Sequence, residues 1–159
     1  MNKSKIPVAQ KDVLSLLLDD HKKAKKLFKE FENTEDDARK EALAREVCME
    51  LTAHTTIEEE VFYPFLREHD PEEFGDLLNE ALVEHASAKE LIAQIRGMGM
   101  QDDLFEAKVT VLGEYVSHHV KEEEEEELFP KVISKKIELR ELLTPMTERK
   151  EEALQSAVA

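Results

Sequence analysis

Four stretches of this chain carry apolar residues on a single helical face, and each face runs into a histidine. Leu14, Leu17 and Leu18 lead to His21, and Val47 and Leu51 lead to His54. Leu78 and Leu82 lead to His85, and Leu112 and Val116 lead to His119. One turn beyond His54 and His119, on the same faces, stand Glu58 and Glu123. A buried imidazole or carboxylate is costly without a partner. A chain patterned this way is expected to gather the six groups in one place, and a shared cation is the most economical compensation.

The pattern predicts an all-α, up-down-up-down four-helix bundle with a short C-terminal helical extension. Helix one is expected over about residues 11–32, with Ala24, Phe28 and Phe31 continuing its apolar face. A polar break at Asn33–Asp37 supplies capping residues for helix two, expected over about 38–68. Leu43, Val61, Phe62 and Phe65 also mark that helix, and Pro64 should kink or loosen its last turn. Asp70-Pro71-Glu72-Glu73 is a helix start: a cap, proline at the first position, then acids at the positive end of the dipole. Helix three carries Phe74, Ala88, Ile92 and Ile95 and stops at Gly97-Met98-Gly99. Asp102 or Asp103 is expected to cap helix four, which bears Phe105 and Val109. After Pro130 the reading is one or two short helices broken near Pro145 and fraying at the end. The domain expectation is one unit over 1–159, with the bundle over about 11–130 and a tail over about 131–157.

Two regularities place the histidines at one height. The points midway between His21 and His54, His54 and His85, and His85 and His119 fall at Asp37–Ala38, His69–Asp70 and Asp102, each an expected turn. His85 also follows His21 by 64 positions, and His119 follows His54 by 65. Each half therefore holds a lone histidine on one helix and a His-x-x-x-Glu helix ending in an aromatic and a proline. Such a repeat suits a two-fold arrangement around a pair of metal ions.

Bulk properties narrow the function classes. The 159 residues are enough for one domain with a real core, and 37% charged residues with no tryptophan suit a helical protein. A net charge of −15 disfavours nucleic acid and anionic membrane surfaces as partners. The first residues, MNKSKIPVAQ, lack the apolar core of a signal peptide, and no stretch reaches the length of a membrane span. A single cysteine, Cys48, is read as a core or boundary residue and fits a reducing cytoplasm. The run Glu122–Glu127 is read as a solvated face, offset in part by Lys131, Lys135 and Lys136, and it lacks the loop of a calcium-binding hand. Tyr63 and Tyr115 are read as packing residues, and His69 as a surface or helix-end residue.

Four imidazoles and two bridging carboxylates would give each of two metals two nitrogens and two oxygens. An oxo or hydroxo bridge would leave one position on each for an exogenous ligand. Imidazole with carboxylate suits Fe, Zn, Mn or Cu, so the donor set does not name the metal. A ferritin-like centre is disfavoured, because that class uses Glu-x-x-His and further glutamates.

In order, the chain reads Asp20-His21 with Leu27-Phe28, then His54-x-x-x-Glu58-Glu59 with Val61-Phe62-Tyr63-Pro64. Glu84-His85 follows, then His118-His119-Val120, the glutamate run and Leu128-Phe129-Pro130. As a set, these motifs resemble the hemerythrin-like HHE cation-binding domain family of non-haem di-iron bundles, over about residues 10–155. Met146–Lys150 and Leu154 resemble that family's closing helix. The resemblance implies two non-haem irons, with Zn or Mn as alternatives, at His21, His54, Glu58, His85, His119 and a glutamate after it. Alignment from the histidine selects Glu123. Alignment back from Pro130 selects Glu124, because this stretch is one residue longer than His54–Pro64, an excess a π-bulge could absorb. His118, adjacent to His119, is separated from it only by the family pattern. Oxygen-carrying members place a second histidine where this chain has Lys89, so the resemblance does not extend to reversible dioxygen carriage by the same ligands. It implies a protein that binds a small diatomic or peroxide ligand in a sensing or binding role. Two alternatives stand beside it: an enzyme reducing peroxide or nitric oxide, and a redox-inactive structural Zn or Mn bundle. Neither the protein partner nor the physiological ligand is specified.

Overall fold

Helix boundaries follow the capping chemistry. Asp36 accepts hydrogen bonds from the Ala38 and Arg39 amides, at 3.1 and 3.5 Å, and opens a helix at Asp37. Asp70 accepts from the Glu73 amide at 3.2 Å, with Pro71 in the first helical position. The computed structural model describes residues 1–158 and contains only helices and turns among them. The α-helices are α1 (Val8–Asn33), α2 (Asp37–Ile57), α3 (Tyr63–His69), α4 (Pro71–Arg96), α5 (Phe105–Lys121), α6 (Leu128–Ser134) and α7 (Leu143–Val158). Helices α1, α2, α4 and α5 form the up-down-up-down bundle, each packing on two neighbours in the ring, and α7 lies along α2. No helix among the described residues is long and apolar enough to cross a membrane.

The interior is divided. One apolar cluster, built around Leu14, Leu17, Phe62, Leu66, Phe74, Leu78 and Phe129, fills one end of the bundle. A second, around Phe31, Leu43, Val47, Ile95, Phe105 and Leu112, fills the other. Cys48 is buried within the second cluster, where burial pushes its thiol up to about 11. Gly113 lets α5 approach α1, since a Cβ there would meet the Phe28 ring at 3.2 Å.

Helices α2 and α5 share a feature that decides where their side chains point. Each passes into a five-residue π turn, Glu58–Phe62 and Glu122–Glu126, in which hydrogen bonds span five residues rather than four. The Tyr63 amide donates to the Glu58 carbonyl, and the Glu127 amide to the Glu122 carbonyl at 2.8 Å. Pro64 lies just past the first of these turns. It has no N–H to donate, and the wider turn relieves the clash its ring would make with an α-helical carbonyl. The expected loosening at Pro64 thus takes the form of the widened π turn just before it, and the chain continues into α3.

Several local expectations are corrected. A π turn does lie in the second half, as expected, but the first half has one too, so it is not what absorbs the residue by which the second half exceeds the first. That residue is Glu127, whose φ of −131° and ψ of −66° break the helix before Leu128. Pro145 does not interrupt the C-terminal segment. It is the third residue of α7, inside the first turn, where an amide has no helical acceptor to lose. Asp102 closes the preceding loop by accepting from the Gly99 amide at 2.9 Å, and α5 starts without a side-chain cap. Leu82 is exposed, and Ala81 is buried in its place. Lys131 and Lys135 pair with Asp70 and Glu73 at the start of α4, each at 3.3 Å, rather than with the glutamate run. Lys136 adopts the left-handed φ of 55° just after α6.

Candidate metal centre

Between the two apolar clusters lies one polar layer. His21, His54, His85, Glu58 and Glu123 are buried in it, and the His119 side chain is 14% exposed. The histidines form two edge-on pairs, His21 with His54 and His85 with His119, with ring centroids 4.9 and 5.0 Å apart. Each carboxylate faces both pairs. Glu58 Oε1 lies 3.1 Å from His54 Nε2 and 3.3 Å from His85 Nε2. Glu123 Oε2 lies 3.2 Å from His119 Nε2 and 3.4 Å from His21 Nε2. All four imidazoles thus turn Nε2 inward.

Their outer nitrogens meet a second ring of acids, of which the sequence reading gives a role, that of alternative ligand, to Glu124 alone. His54 Nδ1 is 2.8 Å from Asp20, His85 Nδ1 is 2.8 Å from Glu59, and His119 Nδ1 is 3.2 Å from Glu84. His21 Nδ1 lies 3.7 Å from Glu124. Each of these acids adjoins an inward residue in sequence but supports a histidine on a different helix. They also obey the internal repeat, Asp20 matching Glu84 and Glu59 matching Glu124, and that was the signal available to find them. Glu124 therefore faces the outer nitrogen of His21, while Glu123 faces the centre. Two lysines back the ring: Lys150, from α7, pairs with Asp20, and Lys89 Nζ lies 2.6 Å from Glu59.

The aromatic residues preceding the two prolines complete the pseudosymmetry. Phe129 stacks on His21 at 6.0 Å, and Tyr63 stacks on His85 at 5.5 Å. Tyr63 is more than a packing residue, because its hydroxyl donates to Glu123 Oε1 at 3.3 Å. Only one half carries this hydroxyl. Tyr115 is half-exposed, and His69 stacks beside Phe65 at the end of α3. His118 points outward with its side chain 67% exposed and contacts Glu122 at 3.1 Å.

Without metal, the layer is electrostatically strained. Burial would lower the pKa of His54, but Glu58 and Asp20 outweigh it and hold the imidazole up to about 10. Burial also opposes protonation of His119, yet Glu123 and Glu84 raise it to about 11. For Asp20, burial is outweighed by His54 and Lys150, and the carboxyl falls below its usual range. Burial and the adjacent Glu123 and Glu58 push the Tyr63 phenol well above 10, so its hydroxyl stays a donor. Even so, His21 Nδ1 and Nε2, His54 Nε2, both Glu58 oxygens and Glu123 Oε2 are buried without a hydrogen-bond partner. Orphaned buried donors and acceptors facing one point are rare in native proteins unless something else satisfies them. His21, His54 and Glu123 offer atoms within 4.8 Å of one another, as do Glu58, His85 and His119. The donor set fits a pair of cations.

Inward imidazoles and carboxylates on an antiparallel helical bundle define the class, a cation-binding bundle protein. The chain belongs to the hemerythrin HHE cation binding domain family, which matches residues 12–132. It superimposes on a hemerythrin HHE cation binding domain-containing protein from Mycobacterium kansasii with a TM-score of 0.71. That match covers 91% of this chain and 88% of that one at 24% identity, and so supports the fold. A protein of Nostoc sp. called DNA nickase is 33% identical over 105 residues, which is 66% of this chain and 29% of that protein. The chain thus spans less than a third of the length of that relative.

Proposed function

We propose that the layer holds two non-haem irons and binds a small ligand there, such as dioxygen, nitric oxide or peroxide, in a sensing or binding role. The observation that carries this reading is the pair of buried carboxylates, each facing both histidine pairs and each with an orphaned oxygen. Charge supports the number of ions. Six carboxylates (Asp20, Glu58, Glu59, Glu84, Glu123, Glu124) against Lys89 and Lys150 leave four negative charges around the layer, the complement of two divalent cations. Zn and Mn suit the same donors.

His21, His54, His85 and His119 would supply nitrogen ligands, and Glu58 and Glu123 the shared oxygens. Bound iron would supply redox capacity and open positions for an exogenous ligand. The chain itself does the rest. Asp20, Glu59 and Glu84 hold Nδ1 protonated so that Nε2 is free to ligate. Tyr63 orients Glu123, and the apolar clusters keep bulk water from both ends. The DNA-directed activity in the name of the Nostoc relative is not part of this reading, because the net charge of −15 repels phosphate. A cytoplasmic setting accords with a single buried thiol.

The test is metal quantification and absorption spectroscopy on protein purified without added metal, before and after exposure to air. An iron pair per chain with oxo-bridged bands in the near ultraviolet is the expected result. His54→Ala should lower metal content and stability together, by about 3 kcal/mol, because it removes the imidazole that both Asp20 and Glu58 face. Unchanged metal stoichiometry in that variant would overturn the assignment. Tightly held zinc without iron would point to the structural bundle.

A further inference from the structure

On the side of the histidine layer away from Tyr63, the four helices line a cavity of about 280 Å³ that opens past the exposed Tyr115 and His118. All four histidines line it, and neither Glu58 nor Glu123 does. The imidazoles that would hold a metal pair are therefore the part of the layer this space reaches. The internal repeat also shapes it. Ala24 and Ala88 stand three residues after the lone histidines, and Leu51 and Val116 three residues before the paired ones, with Ile92 beyond. Two alanines at matching positions, where the helices elsewhere carry larger apolar groups, keep the space open.

The volume is too large for a diatomic alone. A water occupies roughly 30 Å³, and a dry apolar cavity of about 150 Å³ is enough for benzene. This cavity suits a ligand of about ten non-hydrogen atoms with a carbon body. Asp20, Glu50 and Glu84 also border it, and no lysine or arginine is among its lining residues, so it offers an anionic head no fixed cation of its own. We propose that the cavity is a size-selecting chamber for a neutral organic hydroperoxide, with the aryl or branched-alkyl group between Ala24 and Ala88 and the oxygen head toward the histidines. The choice of head rests on the proposed iron site; the chamber for the apolar body does not.

The test uses the full chain and 2-phenylpropan-2-ol, an unreactive analogue of cumene hydroperoxide, with binding followed by calorimetry or saturation-transfer NMR. Wild type should bind it, and Ala88→Phe should weaken binding at least tenfold while metal content and azide binding persist. If Ala88→Phe fails to fold, Ala88→Val should show a smaller loss in the same direction. Binding that is lost in the variant supports the chamber even where no iron is found, a result that would count only against the proposed function. Absence of alcohol binding to wild-type protein that does bind azide overturns the chamber, as does equal binding to wild type and the Ala88 variants.

Discussion

At the residue scale, the centre was legible where burial and chemistry conflict. Histidines and glutamates on apolar faces stand out because nothing in simple core packing calls for them, and the structure brings all six together. The outer acids were not legible by that criterion. Asp20, Glu59, Glu84 and Glu124 lie among many other acids in a chain with 37 of them, and beyond their place in the internal repeat it is contact with an Nδ1 that singles them out. Their expected role is to orient the imidazoles. Asp20→Asn and Glu59→Gln should each weaken metal affinity by about 10–100-fold while leaving helicity intact. Glu60→Gln, whose carboxylate meets Arg149 at 3.1 Å, should leave affinity unchanged. Competition titration against a chelator measures all three, and equal affinities across the set would remove the orienting role.

At the element scale, helix positions could be read from caps and periodicity; the residue count before Pro130 suggested a π turn in the glutamate run, and nothing suggested the one at Glu58–Phe62. A bulge leaves no compositional mark, and a run of glutamates reads equally well as α or π. The geometry makes the two halves differ under deletion. Removing one glutamate from Glu58–Glu60 takes out the extra residue of the first π turn, so the turn closes to α and Pro64 loses the wider turn that accommodates its ring. A proline inside an α-helix costs about 3 kcal/mol, so a loss of that order is expected, with loss of metal as the Glu58 and Glu59 carboxylates are drawn out of line with the histidines. Removing one glutamate from Glu122–Glu127 shortens the second half to the length of the first, where no break precedes the aromatic-proline pair. The bend at Glu127 can then disappear while the π turn stays, so metal content should be kept and the melting temperature little changed. Metal analysis and thermal unfolding of both deletions decide the matter, and loss of metal in both would show that the bend, too, is needed.

At the scale of the whole molecule, the bundle is two apolar cores joined through a charged layer, and what neutralises that layer sets the pH response. Midpoint spacing and the internal repeat made the level of the layer readable. The contribution of α7 was not readable, because it comes from a long-range pairing of Lys150 with Asp20 and from the burial of Met146. In metal-free protein the imidazoles take the place of cations. The pKa of His54 is raised to about 10 and that of His119 to about 11, against an ordinary 6.5. A raised value stabilises the fold fully below 6.5, and the contribution declines as pH rises through 10 to 11. The lowered values of Asp20 and Glu123 act the other way, stabilising above the ordinary carboxylate range and less as pH falls below it. Metal-free protein should therefore be most stable between roughly pH 4.5 and 6.5. Metal must displace the protons on His54 and His119, so loading at pH 7 should release protons and tighten as pH rises. The gap in melting temperature between loaded and chelator-treated protein should consequently widen from pH 6 to pH 9. Calorimetry at the two pH values measures it; a gap that stays constant or narrows would mean that those imidazoles are not protonated in the metal-free state, and that the layer is neutralised some other way.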